Sequence, residues 1–246
     1  RMIPLDVKKK NIGKVINLLK KNPNFYGGAI TNPYKEFIYK KFKKNADKIT
    51  NQIKSVNCIY RKKKNFFVTN TDGEAALMSF KEKFKITRRN KILIMGFGGV
   101  GKSVAFYFNY EAKIKKSKLI VSTRYKNINQ KKFKLINFIN YKEINKNISK
   151  FNIIINCTDI GFDKKKNVCP IPERLIKKIN KKAVIFDVIY NPIETKFLKI
   201  SKKGEKMNLL QAALAFNYAN NLNKNNIITK KALSYFKKKW KKNTYS

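Results

Sequence analysis

The run Ile92-Leu93-Ile94-Met95-Gly96-Phe97-Gly98-Gly99-Val100-Gly101 decides the fold of this 246-residue chain. Four apolar residues, typical of a buried parallel strand, lead into a Gly-x-Gly-x-x-Gly loop, and a helical pattern follows at 102–108. In dinucleotide-binding folds such glycines make the turn, let a pyrophosphate approach the backbone, and let helix and strand pack closely. The alternative is a glycine-rich turn that serves backbone geometry alone. We predict that a dinucleotide binds at Gly96, Gly98, Gly99, Val100 and Gly101.

Apolar runs downstream of this loop alternate with helical patterns. The runs cover residues 119–122, 151–157 and 183–189. Continuous apolar strands separated by helices predict a parallel sheet covered on both faces, so we expect an α/β protein with a doubly wound, Rossmann-type domain. The Asn- and Lys-rich segment 126–150 predicts no particular element.

The residues upstream of the loop predict a second, mixed α/β domain. Its helical and strand patterns lie, in chain order, at 11–20, 26–31, 36–42, 56–60, 66–69 and 74–84. Topology places the boundary between the domains near Thr87. Two more helical patterns, at 208–221 and 227–240, close the chain.

The chain contains no histidine. This excludes Ser-His-Asp triads and histidine-ligated metal sites, so a general acid or base must be Lys, Asp, Glu, Tyr or Cys. The three cysteines, Cys58, Cys157 and Cys169, form neither a metal pattern nor a disulfide framework, and we expect no metal and a cytoplasmic protein with reduced thiols. No apolar run reaches the roughly 18 residues of a membrane span, so we expect no membrane partner.

The net charge is +44, from 58 Lys and Arg against 14 Asp and Glu. Such a charge is typical of nucleic-acid-binding proteins, which is one alternative for this chain. However, the lysines are spread along the whole sequence with Asn and Ile, and arginine, the residue preferred for base and phosphate contacts, is scarce. This composition indicates the coding bias of an AT-rich genome, and we expect no specific nucleic-acid partner. The positive field would still attract anionic ligands.

The second strand of the nucleotide domain ends in Val121-Ser122-Thr123-Arg124-Tyr125. Sites for NAD usually place Asp or Glu about 20 residues after the glycine loop, where it binds the ribose 2′-hydroxyl. No acid occurs here, and Arg124 can pair with a 2′-phosphate instead. The sequence therefore favours NADP (NADPH) over NAD.

Six motifs follow one another along the chain. They are Thr31-x-Pro33-Tyr34-Lys35-Glu36, Val56-Asn57, Asn70-Thr71-Asp72-Gly73, Ile155-Asn156-Cys157-Thr158-x-x-Gly161, Asp187-Val188-Ile189-Tyr190-Asn191-Pro192-x-x-Thr195 and Met207-x-x-Leu210-Gln211-Ala212. In content and order they resemble the signature motifs of the shikimate dehydrogenase family. The resemblance covers most of the chain and is far more specific than the glycine loop alone.

The resemblance implies a two-domain protein. Residues 1–86 would bind shikimate or 3-dehydroshikimate, with the C-terminal helices of 206–246 packing on that domain, and residues 87–205 would bind NADP. The implied activity is the reversible, NADP-dependent reduction of 3-dehydroshikimate to shikimate, in the biosynthesis of chorismate and aromatic amino acids. We expect a cytoplasmic monomer or homodimer that acts on this small molecule.

The resemblance also implies roles for individual residues. Lys35 and Asp72 would be the catalytic pair, because a lysine ammonium can protonate a ketone oxygen while a carboxylate orients it. Taken singly, each also fits an ordinary role, as a helix-start surface lysine or a turn aspartate. The substrate would be bound by Thr31, Lys35, Asn57, Asp72, Tyr190 and Gln211. Beyond the glycine loop, the cofactor would contact Thr123, Arg124, Thr158 and Lys206.

The chain departs from the family pattern at three places. The Ser-x-Ser pair that binds the substrate carboxylate in the family has no counterpart, because only 30 residues precede Thr31 and none of them is serine. Ala29 stands where the family has Asn, and Lys206 where it has Gly. Either the sequence is a fragment that lacks its first strand, or the carboxylate site has been lost.

Two other functions fit the same motifs. The protein could bind NADP or substrate as a regulator without turnover, or it could be a quinate-type dehydrogenase. The substitution Lys35→Ala separates an enzyme from a binding protein, since an enzyme would lose most of its rate while its cofactor affinity barely changed.

Overall fold

The structure is a computed structural model that describes residues 4–31, 33–82, 84–111, 113–115, 118–189, 191–192, 194–201, 204–206 and 218. The chain divides into two compact units. Of the described residues, 4–71 and Tyr218 belong to the first unit and 72–206 to the second. The division falls within a helix, upstream of the boundary near Thr87 that topology suggested.

The first unit combines helices with a three-stranded antiparallel sheet. Its described elements are α1 (Ile12–Lys21), β1 (Gly27–Ala29), α2 (Lys35–Phe42), α3 (Lys48–Ile53), β2 (Cys58–Lys62) and β3 (Asn65–Thr69). The strand order is β1-β2-β3, and Lys63 turns the β2–β3 hairpin with a positive φ of 55°. The core joins α1 and α2 to one face of this sheet through Ile12, Ile16, Ile38, Tyr39, Val56, Ile59, Phe66 and Val68.

The second unit contains, over its described residues, a six-stranded parallel sheet flanked by helices. Its elements are α4 (Thr71–Lys81, starting at the division), β4 (Ile92–Met95), α5 (Gly99–Tyr110), β5 (Leu119–Ser122), α6 (Lys126–Lys132), β6 (Asn137–Ile139), α7 (Tyr141–Asn147), β7 (Ile153–Asn156), α8 (Glu173–Ile176), β8 (Val184–Asp187), α9 (Lys196–Ser201) and β9 (Gly204–Lys206). The strand order is β6-β5-β4-β7-β8-β9, and every neighbouring pair is parallel. This is the Rossmann order, with its switch point between β4 and β7. The α/β class and the doubly wound domain predicted from the sequence are confirmed.

Apolar strands form the centre of this sheet. Every residue of β4 and β7 is buried, as the uninterrupted apolar runs predicted. On one face of the sheet, Phe80 of α4 packs edge-on against Phe108 of α5 and Phe186 of β8, with ring centres 5.8 Å apart in both pairs. This aromatic contact explains why α4 belongs to the second unit. The opposite face is covered by a cluster of Leu93, Met95, Ile144, Ile148, Phe151, Ile154, Ile171, Leu175, Ile176, Ile185, Phe197 and Leu198.

Capping residues define several of the shorter elements. Asp47 caps α3, because its carboxylate accepts from the backbone N–H of Thr50 at 2.8 Å. At the start of α7, the carboxylate of Glu143 accepts from the backbone N–H of Asn140 at 2.6 Å. Segment 126–150, which predicted no element, thus contains α6, β6 and α7. Short 3₁₀ helices lie at Lys9–Asn11, Lys43–Asn45, Ile148–Lys150 and Asp163–Lys165.

The helical patterns at 208–221 and 227–240 lie outside the described residues, apart from Tyr218. Tyr218 has helical backbone, and its ring centre lies 5.2 Å from that of Tyr60 on β2. Both residues belong to the first unit, on which the C-terminal helices were expected to pack.

No helix in the described part of the chain is long and apolar enough to cross a membrane, and the longest, α5, has 12 residues. Within the same ranges, no three Cys, Asp or Glu side chains are grouped to hold a metal ion.

Candidate functional site

The three fingerprint glycines have three different environments. Gly96 adopts a φ of +93°, which side chains rarely allow, and a Cβ there would lie 2.9 Å from Cγ2 of Thr158. A Cβ on Gly101 would lie 2.2 Å from the carbonyl oxygen of Gly96, so only glycine lets α5 pack this closely on the loop. Beside Gly98 the space is open, with no atom within 4 Å of a Cβ position. These are the turn, the packing contact and the open approach that a bound pyrophosphate requires.

Helix α5 begins at Gly99, three residues before the helical pattern seen in the sequence. The first N–H groups of a helix have no intrahelical acceptor, and the N-cap Gly98 has no side chain to bind them. Gly99, Val100 and Gly101 therefore carry backbone N–H groups at the positive end of the helix dipole, beside the open face of Gly98.

Aromatic packing also holds the glycine loop in place, through the side chain of Phe97. Phe97 is buried, and its ring lies edge-on to Phe133 and Phe138 at centre distances of 5.1 and 4.7 Å. The variable residue of the fingerprint thus ties the loop to the β5–β6 side of the sheet.

The ends of five strands line up at one edge of the sheet. Met95 pairs with both Ser122 and Asn156, Asn156 pairs with Asp187, and Asp187 pairs with Lys206. Because the strands are parallel, this is their carboxyl edge, where open α/β sheets bind ligands. At this edge the structure brings together the predicted cofactor residues Gly96, Gly98, Gly99, Val100, Gly101, Thr123, Arg124, Thr158 and, by its backbone, Lys206.

Arg124 is exposed just after β5, with its guanidinium carbon 5.9 Å from the centre of the Tyr125 ring. The next cation, Lys126, donates to both carboxylate oxygens of Glu143 at 3.0 Å. The backbone N–H of Asn140 and this lysine together lower the pKa of Glu143. Lys126 is therefore already paired with Glu143. Of the two cations, Arg124 is the better placed to bind the 2′-phosphate of a cofactor.

Thr123, by contrast, is buried and holds the turn. Its backbone N–H donates to the carbonyl of Ile139 at 3.0 Å, and its hydroxyl accepts from the backbone N–H of Tyr125 at 3.2 Å. These bonds fix the backbone on either side of Arg124.

A buried polar network joins the loops that follow β7 and β8. The amide of Asn156 donates to Oδ1 of Asp187 at 3.1 Å, and its oxygen accepts from the hydroxyl of Thr158 at 2.7 Å. Asp187 also accepts from the hydroxyl of Thr195 at 2.8 Å and from the backbone N–H of Ile189 at 3.0 Å. Thr158 leaves no room for a Cβ on Gly96, so this network lies directly against the turn of the glycine loop.

Burial dominates the electrostatics beneath the loop. It raises the pKa of Asp187 to about 6, although the hydrogen bonds to the carboxylate oppose this shift. Burial also raises the pKa of Cys157 well above its usual value, with smaller contributions from the charges of Asp187 and Asp72. The Cys157 thiol is therefore protonated at neutral pH and is not a nucleophile.

Predicted substrate residues gather at one end of the sheet in the first unit. Ala29, Cys58 and Thr69 are paired across its three strands, so the residues just beyond them share that end. They include Asn57, which is buried, and Thr31, which is exposed.

Lys35 is the first residue of α2 and is half-buried. Its backbone carbonyl accepts from the N–H of Val56 at 3.1 Å, which fixes the start of α2 next to the segment leading into β2. Helix α2 therefore begins one residue before the helical pattern at 36–42.

Asn57 binds the first residue of α4. Its Oδ1 accepts from the backbone N–H of Thr71 at 2.8 Å, and its Nδ2 donates to the Thr71 hydroxyl at 3.0 Å. Asp72 follows in the first turn of α4 and is only 2% exposed. Of the predicted substrate residues, Tyr190 and Gln211 lie outside the described residues.

Comparison with known proteins identifies the family. The shikimate dehydrogenase (NADP(+)) of Methanococcus vannielii is 31% identical over 225 residues, which cover 86% of this chain and 78% of that protein. The chain belongs to the shikimate dehydrogenase family. No family model matches the chain. The resemblance seen in the six motifs is confirmed.

Solved shikimate dehydrogenases share the architecture. Shikimate dehydrogenase 1 from Peptoclostridium difficile is 26% identical, with a TM-score of 0.78 over 95% of this chain and 85% of that chain. Shikimate 5-dehydrogenase from Thermus thermophilus, solved with NADP(H) and shikimate, has a TM-score of 0.73 over 88% of this chain and 80% of that chain. At 22% identity the second likeness shows the fold alone.

In this shikimate dehydrogenase family member, sequence reasoning assigned no role to four buried polar residues near the loop. Asn156, Asp187 and Thr195 lie inside the quoted motifs, and their signal is a polar residue at or just after the end of an apolar strand. Ser103 carries no local signal. Its hydroxyl accepts from the backbone N–H of Gly73, 30 residues away, at 2.7 Å.

Proposed function

We propose that the chain is an NADP-dependent shikimate dehydrogenase, an oxidoreductase that reversibly reduces the ketone of 3-dehydroshikimate to the CH–OH group of shikimate. This reaction serves the biosynthesis of chorismate and aromatic amino acids. The observation that carries the proposal is the glycine loop, whose turn at Gly96, open side at Gly98 and close packing at Gly101 fit a dinucleotide in a member of this family.

Residues at the carboxyl edge of the sheet would hold the cofactor. The backbone N–H groups at Gly99 to Gly101 face the pyrophosphate, and Arg124 pairs with the 2′-phosphate from the turn that Thr123 fixes. Thr158 and Lys206 border the cofactor where β7 and β9 end. When bound, NADPH supplies the hydride.

Lys35 and Asp72 are the proposed catalytic pair. The Lys35 ammonium donates its proton to the ketone oxygen as the hydride arrives at the carbon, and the Asp72 carboxylate is the second member of the pair. The chain has no histidine that could take this role. The substrate hydroxyls would be bound by Thr31, Asn57, Asp72, Tyr190 and Gln211.

In this proposal residues 1–86, with the C-terminal helices of 206–246, bind the small-molecule substrate, and residues 87–205 bind NADP. Helix α4, which the sequence analysis placed with residues 1–86, packs with the second unit. We propose a cytoplasmic monomer or homodimer, a choice that sedimentation of the purified protein decides.

The test is NADPH oxidation by the purified chain with 3-dehydroshikimate, followed by loss of NADPH absorbance. Parallel reactions replace the substrate with 3-dehydroquinate and the cofactor with NADH. Turnover that requires NADPH and 3-dehydroshikimate is the expected result, and preference for 3-dehydroquinate would indicate a quinate-type dehydrogenase. Binding of NADPH without turnover of either substrate would contradict the proposal and favour a regulator.

A further inference from the structure

Helix α4 is fixed to helix α5 at two points. Near its start, the backbone N–H of Gly73 donates to Oγ of Ser103 at 2.7 Å, and a Cβ on Gly73 would lie 2.3 Å from the Ser103 carbonyl oxygen. Near its end, Phe80 packs edge-on against Phe108. The two contacts are separated by about 10 Å along the helix axis, so α4 has little freedom to slide or rotate on α5.

The hydrogen bond at Gly73 satisfies a group that α4 cannot satisfy itself. Gly73 is the third residue of α4, and the first N–H groups of a helix have no intrahelical acceptor. Both Gly73 and Ser103 are buried, so water does not readily replace the serine hydroxyl. Ser103 thus acts as a helix cap that is supplied by a neighbouring helix.

This contact lies between the predicted catalytic carboxylate and the dinucleotide loop. Asp72 immediately precedes Gly73, and Ser103 stands two residues after Gly101. Asp72 is also close enough to Cys157 for its charge to add to the effect of burial on the pKa of that thiol. A Cβ on Gly101 would lie 3.4 Å from the Cβ of Cys157. All of these residues belong to the second unit.

We propose that Ser103 is a positioning residue for the reaction: by accepting from Gly73, it fixes the carboxylate of Asp72 relative to the dinucleotide loop. The inference rests on the proposed function, which gives Asp72 its catalytic role. Ser103 itself contacts neither substrate nor cofactor in this arrangement. Its effect is geometric, because a displacement of about 1 Å at a reacting group can cost ~100-fold in rate.

The substitution Ser103→Ala removes the acceptor without adding bulk. We expect kcat for 3-dehydroshikimate reduction to fall about 10- to 100-fold. The NADPH dissociation constant, measured by fluorescence titration, should stay at the wild-type value because α5 keeps its place on the sheet. The pH profile of kcat should change shape, because the catalytic carboxylate of Asp72 has moved. Without any ligand, the Gly73 amide proton should exchange faster by NMR.

Two more variants distinguish the positioning role of Ser103 from the general effect of removing a buried hydroxyl. Ser55→Ala is the matched control, because Ser55 is fully buried and its hydroxyl has no hydrogen-bond partner among the described residues. It should leave kcat, NADPH affinity and Gly73 exchange unchanged. Gly73→Ala keeps the Ser103 hydroxyl but forces the two helix backbones apart, and it should lower kcat at least as far as Ser103→Ala.

The outcomes are distinguishable. Unchanged kcat in Ser103→Ala would overturn the inference, even if Gly73 exchange became faster. A fall in kcat matched by an equal loss of NADPH affinity would also overturn it, because that result indicates damage to the loop. A wild-type protein that does not reduce 3-dehydroshikimate would instead overturn the proposed function, and with it the catalytic role of Asp72.

Discussion

Gly101 and Gly96 are in backbone contact: a Cβ on Gly101 would lie 2.2 Å from the carbonyl oxygen of Gly96 and 2.9 Å from its carbonyl carbon. The contact joins the turn after β4 to the first turn of α5. Only main-chain atoms of Gly96 meet the added carbon at these distances, so no flexible side chain can yield. The loop and the helix start therefore act as one rigid support for a phosphate group.

Gly101→Ala should push the start of α5 away from the turn at Gly96 and so weaken NADPH binding. We expect the dissociation constant, measured by fluorescence titration, to rise at least ~10-fold, because misdirected N–H groups lose charge-assisted hydrogen bonds. The matched control is Gly13→Ala in α1, where a Cβ has nothing within 4 Å. That variant should bind NADPH normally and gain about 0.4–1 kcal/mol of stability. Wild-type NADPH affinity in Gly101→Ala would contradict the assigned packing role.

Arg124→Ala should reduce the preference for NADPH over NADH. Losing a charged hydrogen bond costs about 1.5–3 kcal/mol, which corresponds to a ~10- to 100-fold loss of NADPH affinity. Binding of NADH, which has no 2′-phosphate, should change little. The control is Lys126→Ala, which removes an adjacent cation that Glu143 already binds. Equal weakening of both cofactors in Arg124→Ala would argue against a 2′-phosphate partner.

The sequence predicted the centre of the Rossmann sheet well, for a physical reason. Strands β4, β7 and β8 are covered on both faces, so their apolar runs are uninterrupted and visible without alignment. The edge strand β6 has three residues, too few to show a pattern. In the same segment, the spacing Asn140-x-x-Glu143 is that of a capping box and indicates the start of α7.

Helix starts were placed late for a different reason. Both α4 and α5 begin three residues before their apolar patterns, at Thr71 and Gly99. In α4 the first turn is held by Asn57 and Ser103, which are distant in sequence, and in α5 it is the glycine loop itself. Neither support follows from local propensity.

The residues of the candidate site also fall into two groups, those that motifs reveal and those that only the tertiary structure reveals. Motifs give residue types such as Lys35 and Asp72, but only tertiary structure shows that Ser103 receives the Gly73 N–H. The burial of Asp187 is likewise set by strands and loops that pack around it, not by its own neighbours in the sequence.

Lys35→Ala should lower kcat by ~10²–10⁴, the usual contribution of a positioned general acid. The NADPH dissociation constant should not change, because no cofactor role is assigned to Lys35. Lys40→Ala removes an exposed lysine from the same helix, α2, and should leave kcat at the wild-type value. If both variants lose rate equally, the effect belongs to the positive field and not to a proton donor.

Because of Asp187, the free energy of unfolding should fall as the pH rises from about 4 to above 6. Burial raises its pKa from 3.8 to about 6, so the folded state holds this proton more tightly than the unfolded state. Its contribution to stability is therefore fully present below about pH 4 and is lost as the pH passes 6. The linked free energy is on the order of 2–3 kcal/mol.

Asp187→Asn cannot ionise, so its free energy of unfolding, from urea titrations between pH 4 and pH 7, should lack this downward slope. The control Asp159→Asn removes an exposed carboxylate whose pKa is lowered by a hydrogen bond from Lys165. The contribution of Asp159 has the opposite sign and is lost only below about pH 4, since a lowered pKa favours folding as the pH rises. Asp159→Asn should therefore keep the downward slope between pH 4 and pH 7. A slope in Asp187→Asn equal to that of the wild type would mean that Asp187 stays ionised in the fold, held by Asn156, Thr195 and the N–H of Ile189.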